Sequence, residues 1–141
     1  MCNENSGCGC IADVLNVINI LQQNADCCGD ACLDTCDKKF LGNSITPLNY
    51  NTRPIMIYTC NSGDTAITMP ISKDPAETTT SNIFRVEKVE DCCATFRVLT
   101  PNTDSTTSAT IPYVATNSFF TLNLNCCCRL RCLNDTFVEC I

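Results

Sequence analysis

Sulfur carries the reactive chemistry available to this 141-residue chain. Fifteen cysteines stand at positions 2, 8, 10, 27, 28, 32, 36, 60, 92, 93, 126, 127, 128, 132 and 140. Such thiols can bind metal, catalyse redox or acyl chemistry, or cross-link chains, and their spacing separates these uses. Structural zinc sites take closely spaced cysteine pairs completed by Cys or His. The chain has no histidine, and no two cysteines have two residues between them. Cys28/Cys32, Cys32/Cys36 and Cys128/Cys132, each with three residues between, would share a face on a helix. A four-cysteine zinc site, or a cysteine-rich metal-binding protein, is therefore the subordinate reading. The missing Cys-x-x-Cys removes the thioredoxin-like redox signature. Without histidine there is no conventional base for a cysteine or serine nucleophile. Among only five glycines no phosphate-binding loop occurs. The sequence predicts no enzyme, no catalytic residue, no cofactor and no assigned metal ligand.

Cross-linking suits the pattern for a geometric reason. Neighbours along a strand point to opposite faces, so Cys92-Cys93 and Cys126-Cys127-Cys128 would present sulfur to both sides of a sheet. Adjacent strand residues do not readily meet disulfide geometry, so each thiol needs a different partner, one inward and one outward. The odd count leaves at least one thiol without a partner in its own chain. Thiols near the ends, on segments mobile enough to reach a neighbour, suit bonds between subunits. On this basis Cys2, Cys8, Cys10 and Cys140 are expected to bond between chains, and Cys27, Cys28 and Cys127 are expected to do so with them. Cys32, Cys36, Cys60, Cys92, Cys93, Cys126, Cys128 and Cys132 are expected in intrachain disulfides or as buried thiols. Cys60 suits burial because it follows an apolar run.

The remaining composition limits partners. A net charge of −6 and a pI near 4.4 oppose nucleic acid, whose phosphates need clustered Lys and Arg. No apolar run approaches the roughly 18 residues of a membrane span. The segment from Met1 to Cys10 carries no signal-peptide pattern, so synthesis is expected in a reducing cytosol, with oxidation following a change of compartment.

The elements that would position the thiols can be read in order. Residues 1–10 form a cysteine-bearing flexible arm. Residues 11–44 comprise an amphipathic helix from Ile11 to Gln23, with Ile11, Val14, Leu15, Ile18 and Leu21 at helical spacing, and a cysteine-rich segment. Residues 45–141 form a β-rich domain with a cysteine-rich end. Strands are predicted at 54–59 and 65–69 around the turn at Asn61–Asp64, with a threonine-rich loop at 77–81. Residues 82–100 make the clearest hairpin. In it Phe84, Val86 and Lys88 alternate with Arg85 and Glu87, and Ala94, Phe96 and Val98 alternate with Thr95 and Arg97. Further strands are predicted at 111–115 and 119–124. The fold class is mainly β, a small sandwich-like domain preceded by one amphipathic helix and flanked by cysteine-rich ends.

Several segments in order carry a family resemblance. Phe40-Leu-Gly42, Asn51-Thr-Arg-Pro54, Ile57-Tyr-Thr59, Ile83-Phe-Arg-Val86 with Glu87 and Val89, then Cys93, Arg97-Val-Leu99 and Cys128-x-x-x-Cys132-Leu133 resemble the CotY, CotZ and ExsY proteins of the spore outer coat and exosporium. The resemblance covers about residues 11–135, and the chain lacks the His-rich stretch some members carry. It implies a non-enzymatic structural protein that self-assembles into a two-dimensional lattice, commonly hexagonal, hardened by disulfides. It also implies synthesis in the mother cell, a place on the spore surface, and coat or exosporium proteins as partners beside copies of the chain. A fibre or appendage subunit of the spore surface, whose N-terminal arm adds a strand to its neighbour, is the alternative.

Overall fold

The computed structural model describes residues 8–31, 50–61, 63–108 and 111–139, and for residues 24–31 the backbone alone. The chain adopts the mainly β architecture behind one leading helix that its patterning predicts. Helix α1 spans Gly9–Ala31, starting inside the segment expected to be an arm and running past Gln23. The strands are β1 (Ile55–Thr59), β2 (Met69–Pro70), β3 (Thr80–Ser81), β4 (Ile83–Glu90), β5 (Cys93–Pro101), β6 (Tyr113–Asn123) and β7 (Cys127–Cys132). A short 3-10 helix, Leu124–Cys126, joins the last two. The antiparallel main sheet has the order β6-β5-β4-β1-β7, and β2 and β3 make a separate two-stranded ribbon. The strand expected at 65–69 shrinks to its last residue plus Pro70, and Thr80–Ser81, expected in a loop, pairs with it.

The strand order forces the sheet to curl. Its edge strands, β6 and β7, are joined by only three residues. Four strand spacings of about 4.8 Å would put the edges of a flat sheet about 19 Å apart. From Asn123 to Cys127 the chain reaches about 14 Å at most, and less through a 3-10 turn. Curling gathers Ile55, Ile57, Phe84, Val86, Phe96, Val98 and Leu124 into one core with Leu15 and Ile18 of α1. Phe120 packs edge-on to Phe84 at 4.8 Å and stacks near Phe96 at 5.2 Å, an arrangement favoured by the ring quadrupole. Ile67, Met69 and Ile71 pack against this core from the ribbon side, and Ser118 Oγ donates to Pro70 O at 2.7 Å.

The sheet changes direction where β1 meets β4. These strands share a single residue pair, Ile55 with Phe84. Beyond it a buried glutamine of α1 takes the place of the ladder. Gln22 Nε2 donates to Val86 O at 2.8 Å, and Arg53 N donates to Gln22 Oε1 at 3.0 Å. Both backbone groups are thereby satisfied where the strands part. This clamp, with the bond that holds Cys8, sets the rotation of α1. Cys8, Ala12, Leu15, Ile18 and Gln22 face the core, while Val14 and Leu21, expected in the buried stripe, are 45% and 49% exposed.

A bulge corrects one alternation. Val86 pairs with Phe96, but Lys88 pairs with Thr95 and Val89 with Ala94. The extra residue flips the following side chains, so Val89 packs on the core and Lys88 reaches solvent to pair with Glu90 at 3.0 Å. On the outer face Arg85, 3% exposed, donates to both carboxylate oxygens of Glu87 at 2.9 and 2.8 Å, to Thr52 Oγ1 and to Asn51 O. Arg97 reaches the same carboxylate at 3.0 Å.

Candidate functional site

The cysteines converge on one end of the sheet because hairpin, short helix and edge strand all turn there. Between β4 and β5 the chain reverses through Asp91 and Cys92, with Asp91 in the left-handed conformation at φ 51° that tight hairpin turns favour. Cys92 is bonded to Cys8 at the start of α1, with Cα atoms 5.7 Å apart. Leu124 N donates to Cys92 O at 2.7 Å, tying the short helix to the same turn. Asn123, opposite Cys93 in the ladder, caps that helix by accepting from Asn125 N at 3.0 Å. Cys126 ends it, and Cys127 and Cys128 open β7. Cys128 is bonded to Cys60 just after β1, with Cα atoms 5.4 Å apart.

Within this cluster neighbouring residues have opposite fates. Cys92 is bonded and half-buried, whereas Cys93 is an exposed free thiol. Cys126 is exposed and free, Cys127 is buried and free, and Cys128 is bonded. The Cys127 thiol donates to Arg129 O at 3.5 Å, and burial pushes its pKa up, which keeps it protonated and unreactive. Cys132, five residues further along β7, is exposed and free at the other end of the strand. Close by, Arg53 donates to Asp135 at 2.6 and 2.9 Å. That hydrogen bond raises the pKa of Arg53 and lowers that of Asp135.

These placements redistribute the expected roles. Cys8, expected to bond between chains, is 2% exposed and closed within its own chain. The helix begins early enough to dock it on the hairpin turn. Cys127, expected to face a neighbour, lies in the core because the bulge opposite Tyr58 and Thr59 turns Cys128 outward in its place. Cys93, Cys126 and Cys132, expected to be paired or buried, are exposed and unpaired. Cys60 is exposed and bonded to Cys128 rather than buried as a thiol. Cys10 is disulfide-bonded. The side chains of Cys27 and Cys28, and Cys2, Cys32, Cys36 and Cys140 altogether, lie outside the described residues. The signal for Cys93 was present in the sequence, where it falls in phase with the polar Thr95 and Arg97 and out of phase with Ala94, Phe96 and Val98. Among the described residues no three Cys, Asp or Glu side chains converge to hold a metal ion, and no helix is long and apolar enough to cross a membrane.

A model of the spore coat protein Z family matches residues 1–112, through the helix, the core hairpin and the first strands. The chain belongs to the spore coat protein Z family. Membership assigns it a structural role in the spore coat, at the spore surface. The match stops before β6, so Cys126, Cys127, Cys128 and Cys132 belong to the part of the chain beyond it. No curated protein and no solved structure matches the chain.

Proposed function

We propose that this spore-coat chain is a non-enzymatic building block that assembles with copies of itself into a two-dimensional lattice, which disulfides between copies then harden. The observation that carries this reading is the separation of the thiols. The Cys8–Cys92 and Cys60–Cys128 disulfides, and the bond at Cys10, hold the fold together, while Cys93, Cys126 and Cys132 remain exposed on ordered elements. A thiol fixed on a strand or short helix meets its counterpart at high effective concentration once two copies have docked. Cys2, Cys27, Cys28 and Cys140 are further candidates for such bonds. Other coat or exosporium proteins with surface thiols are the remaining partners. Oxidation follows assembly, because a bond between copies needs docked surfaces, whereas the internal bonds need only the folded chain.

Electrophoresis of the assembled protein tests this. Boiling in detergent without reductant is expected to leave large species, and added reductant to collapse them to monomer. A triple variant with Cys93→Ser, Cys126→Ser and Cys132→Ser is expected to lose most of the reductant-sensitive species while still assembling under the microscope as sheets. Wild-type monomer released by detergent alone would show that the coat layer is not covalently locked, and filaments in place of sheets would favour an appendage subunit.

A further inference from the structure

We infer that strand β6 is an assembly edge, pairing antiparallel with β6 of a second copy so that two five-stranded sheets join into one. The inference rests on the self-assembly reading above and names the surface it uses. β6 is eleven residues long, stands at the edge of the main sheet and has the sequence YVATNSFFTLN. It contains no charged residue and no proline. Edge strands expose a row of unpaired backbone groups, and proteins normally blunt them with Lys, Pro, bulges or short length. The opposite edge is blunted in this way. β7 has six residues, carries Arg129 and Arg131, and is bulged against β1. β6 has a shift in register against β5 between Arg97 and Leu99 but no charge on either face. Among the described residues, no backbone-to-backbone bond outside the β5 ladder engages it, and of its backbone groups Thr116 O accepts from Arg97 Nη1 at 3.2 Å and Ser118 N donates to Thr116 Oγ1.

Charge and self-complementarity make a second copy of the chain the occupant of this edge. Copies of a chain with net charge −6 repel one another over most of their surface, and an uncharged strand is where they can approach without opposing like charges. An isologous contact must fit its own copy. A two-fold axis through Phe119 would set Phe119 against its counterpart, and Asn117 against Thr121 of the other copy. All three are exposed, Phe119 by 42%, with its other ring face covered by Arg97 at 4.5 Å. These are an aromatic pair and two polar pairs of the kind that stabilise ladders.

Hydrogen exchange on assembled and dispersed wild-type protein reads the edge directly. Amides of residues 113–123 are expected to exchange about tenfold more slowly, or slower still, in the assembly. Unchanged exchange in β6 of a protein that does assemble would overturn the inference and leave the lattice reading standing. A wild-type protein that never assembles would overturn both. The pair Asn117→Lys and Thr121→Lys is expected to raise the concentration needed for assembly by about tenfold or more. Thr78→Lys with Thr103→Lys, the same charge on exposed loops, is expected to leave it within about twofold. Equal behaviour of the two pairs would overturn the inference. With a photoreactive benzophenone at the Phe119 ring, irradiation is expected to join β6 to β6 of another copy. A cross-link to any other segment would give the edge a different occupant and refute the two-fold pairing.

Discussion

Cys92 and Cys93 are adjacent in the chain and opposite in use. Cys92 turns toward the helix and closes a bond to Cys8, while Cys93 projects from the first residue of β5 into solvent. The same division recurs at the other vicinal group, where Cys128 is bonded to Cys60, Cys127 is enclosed and Cys126 stands open. The pleat of a strand, and one bulge, decide which sulfur serves the fold and which is free to serve assembly. The locked set should therefore govern stability and the open set oligomerisation, with little crossover between them.

The sharpest way to break this division is to remove a locked bond. In the dispersed triple-serine background, Cys8→Ser with Cys92→Ser opens a loop of 84 residues, and the chain-entropy model puts the loss at about 4–5 kcal/mol. Cys60→Ser with Cys128→Ser opens one of 68 residues, for about 4 kcal/mol. Urea midpoints under non-reducing conditions measure both. Should either loss match the roughly 0.5 kcal/mol typical of surface substitutions, that bond would not belong to the locked set.

A non-covalent clamp supplies the next test. Gln22→Leu keeps the volume but strips partners from Val86 O and Arg53 N, which is expected to cost about 2 kcal/mol. The substitution should leave the reductant-sensitive species unchanged, because the open thiols do not depend on it. The locked bonds also differ from each other in access. Cys60 and Cys128 are exposed, whereas Cys8 is 2% exposed. Thiol exchange requires approach to sulfur, so graded reductant followed by mass mapping is expected to open Cys60–Cys128 first. The reverse order would contradict the burial of Cys8.

The smallest effect concerns Cys127. Burial raises its pKa in the folded chain above the roughly 8.5 of an exposed thiol. The folded state therefore holds this proton after the unfolded state has released it. Its contribution is fully present below about pH 8.5 and falls as pH rises toward the folded value. Stability of the dispersed protein is expected to decline more steeply above about pH 8.5 than that of Cys127→Ala, with the two slopes equal at lower pH. Equal slopes throughout would show Cys127 to be open like Cys126.

Much of this arrangement was legible from residue order. The β4–β5 hairpin could be read because Phe84, Val86, Ala94, Phe96 and Val98 alternate with polar residues over a short distance, where strand geometry leaves few choices. The same alternation placed sulfur on both faces at each vicinal cysteine group. Helix α1 was legible in place and less so in rotation, since its apolar stripe is broad and Val14 and Leu21 are as hydrophobic as the residues that face the core. Gln22 reads as a polar-face residue until Val86 and Arg53 are seen to part on either side of it. Simple alternation puts Lys88 on the face of Phe84 and Val86, whereas the bulge at Glu87 turns it to solvent; that bulge depends on how β4 meets β5, and no residue type in the chain announces it.

Local periodicity and residue chemistry, which act over a few neighbours, determined the mainly β composition, the leading helix, the central hairpin and the dependence on sulfur. Contacts between residues far apart in the chain decided the rest. The curl that brings β7 to the end of β6, the choice of Cys8 for Cys92 and of Cys60 for Cys128, and the exposure of Cys93, Cys126 and Cys132 all depend on which segments meet in space. A thiol is the same group at each of fifteen positions, and only its surroundings make it a staple or a link.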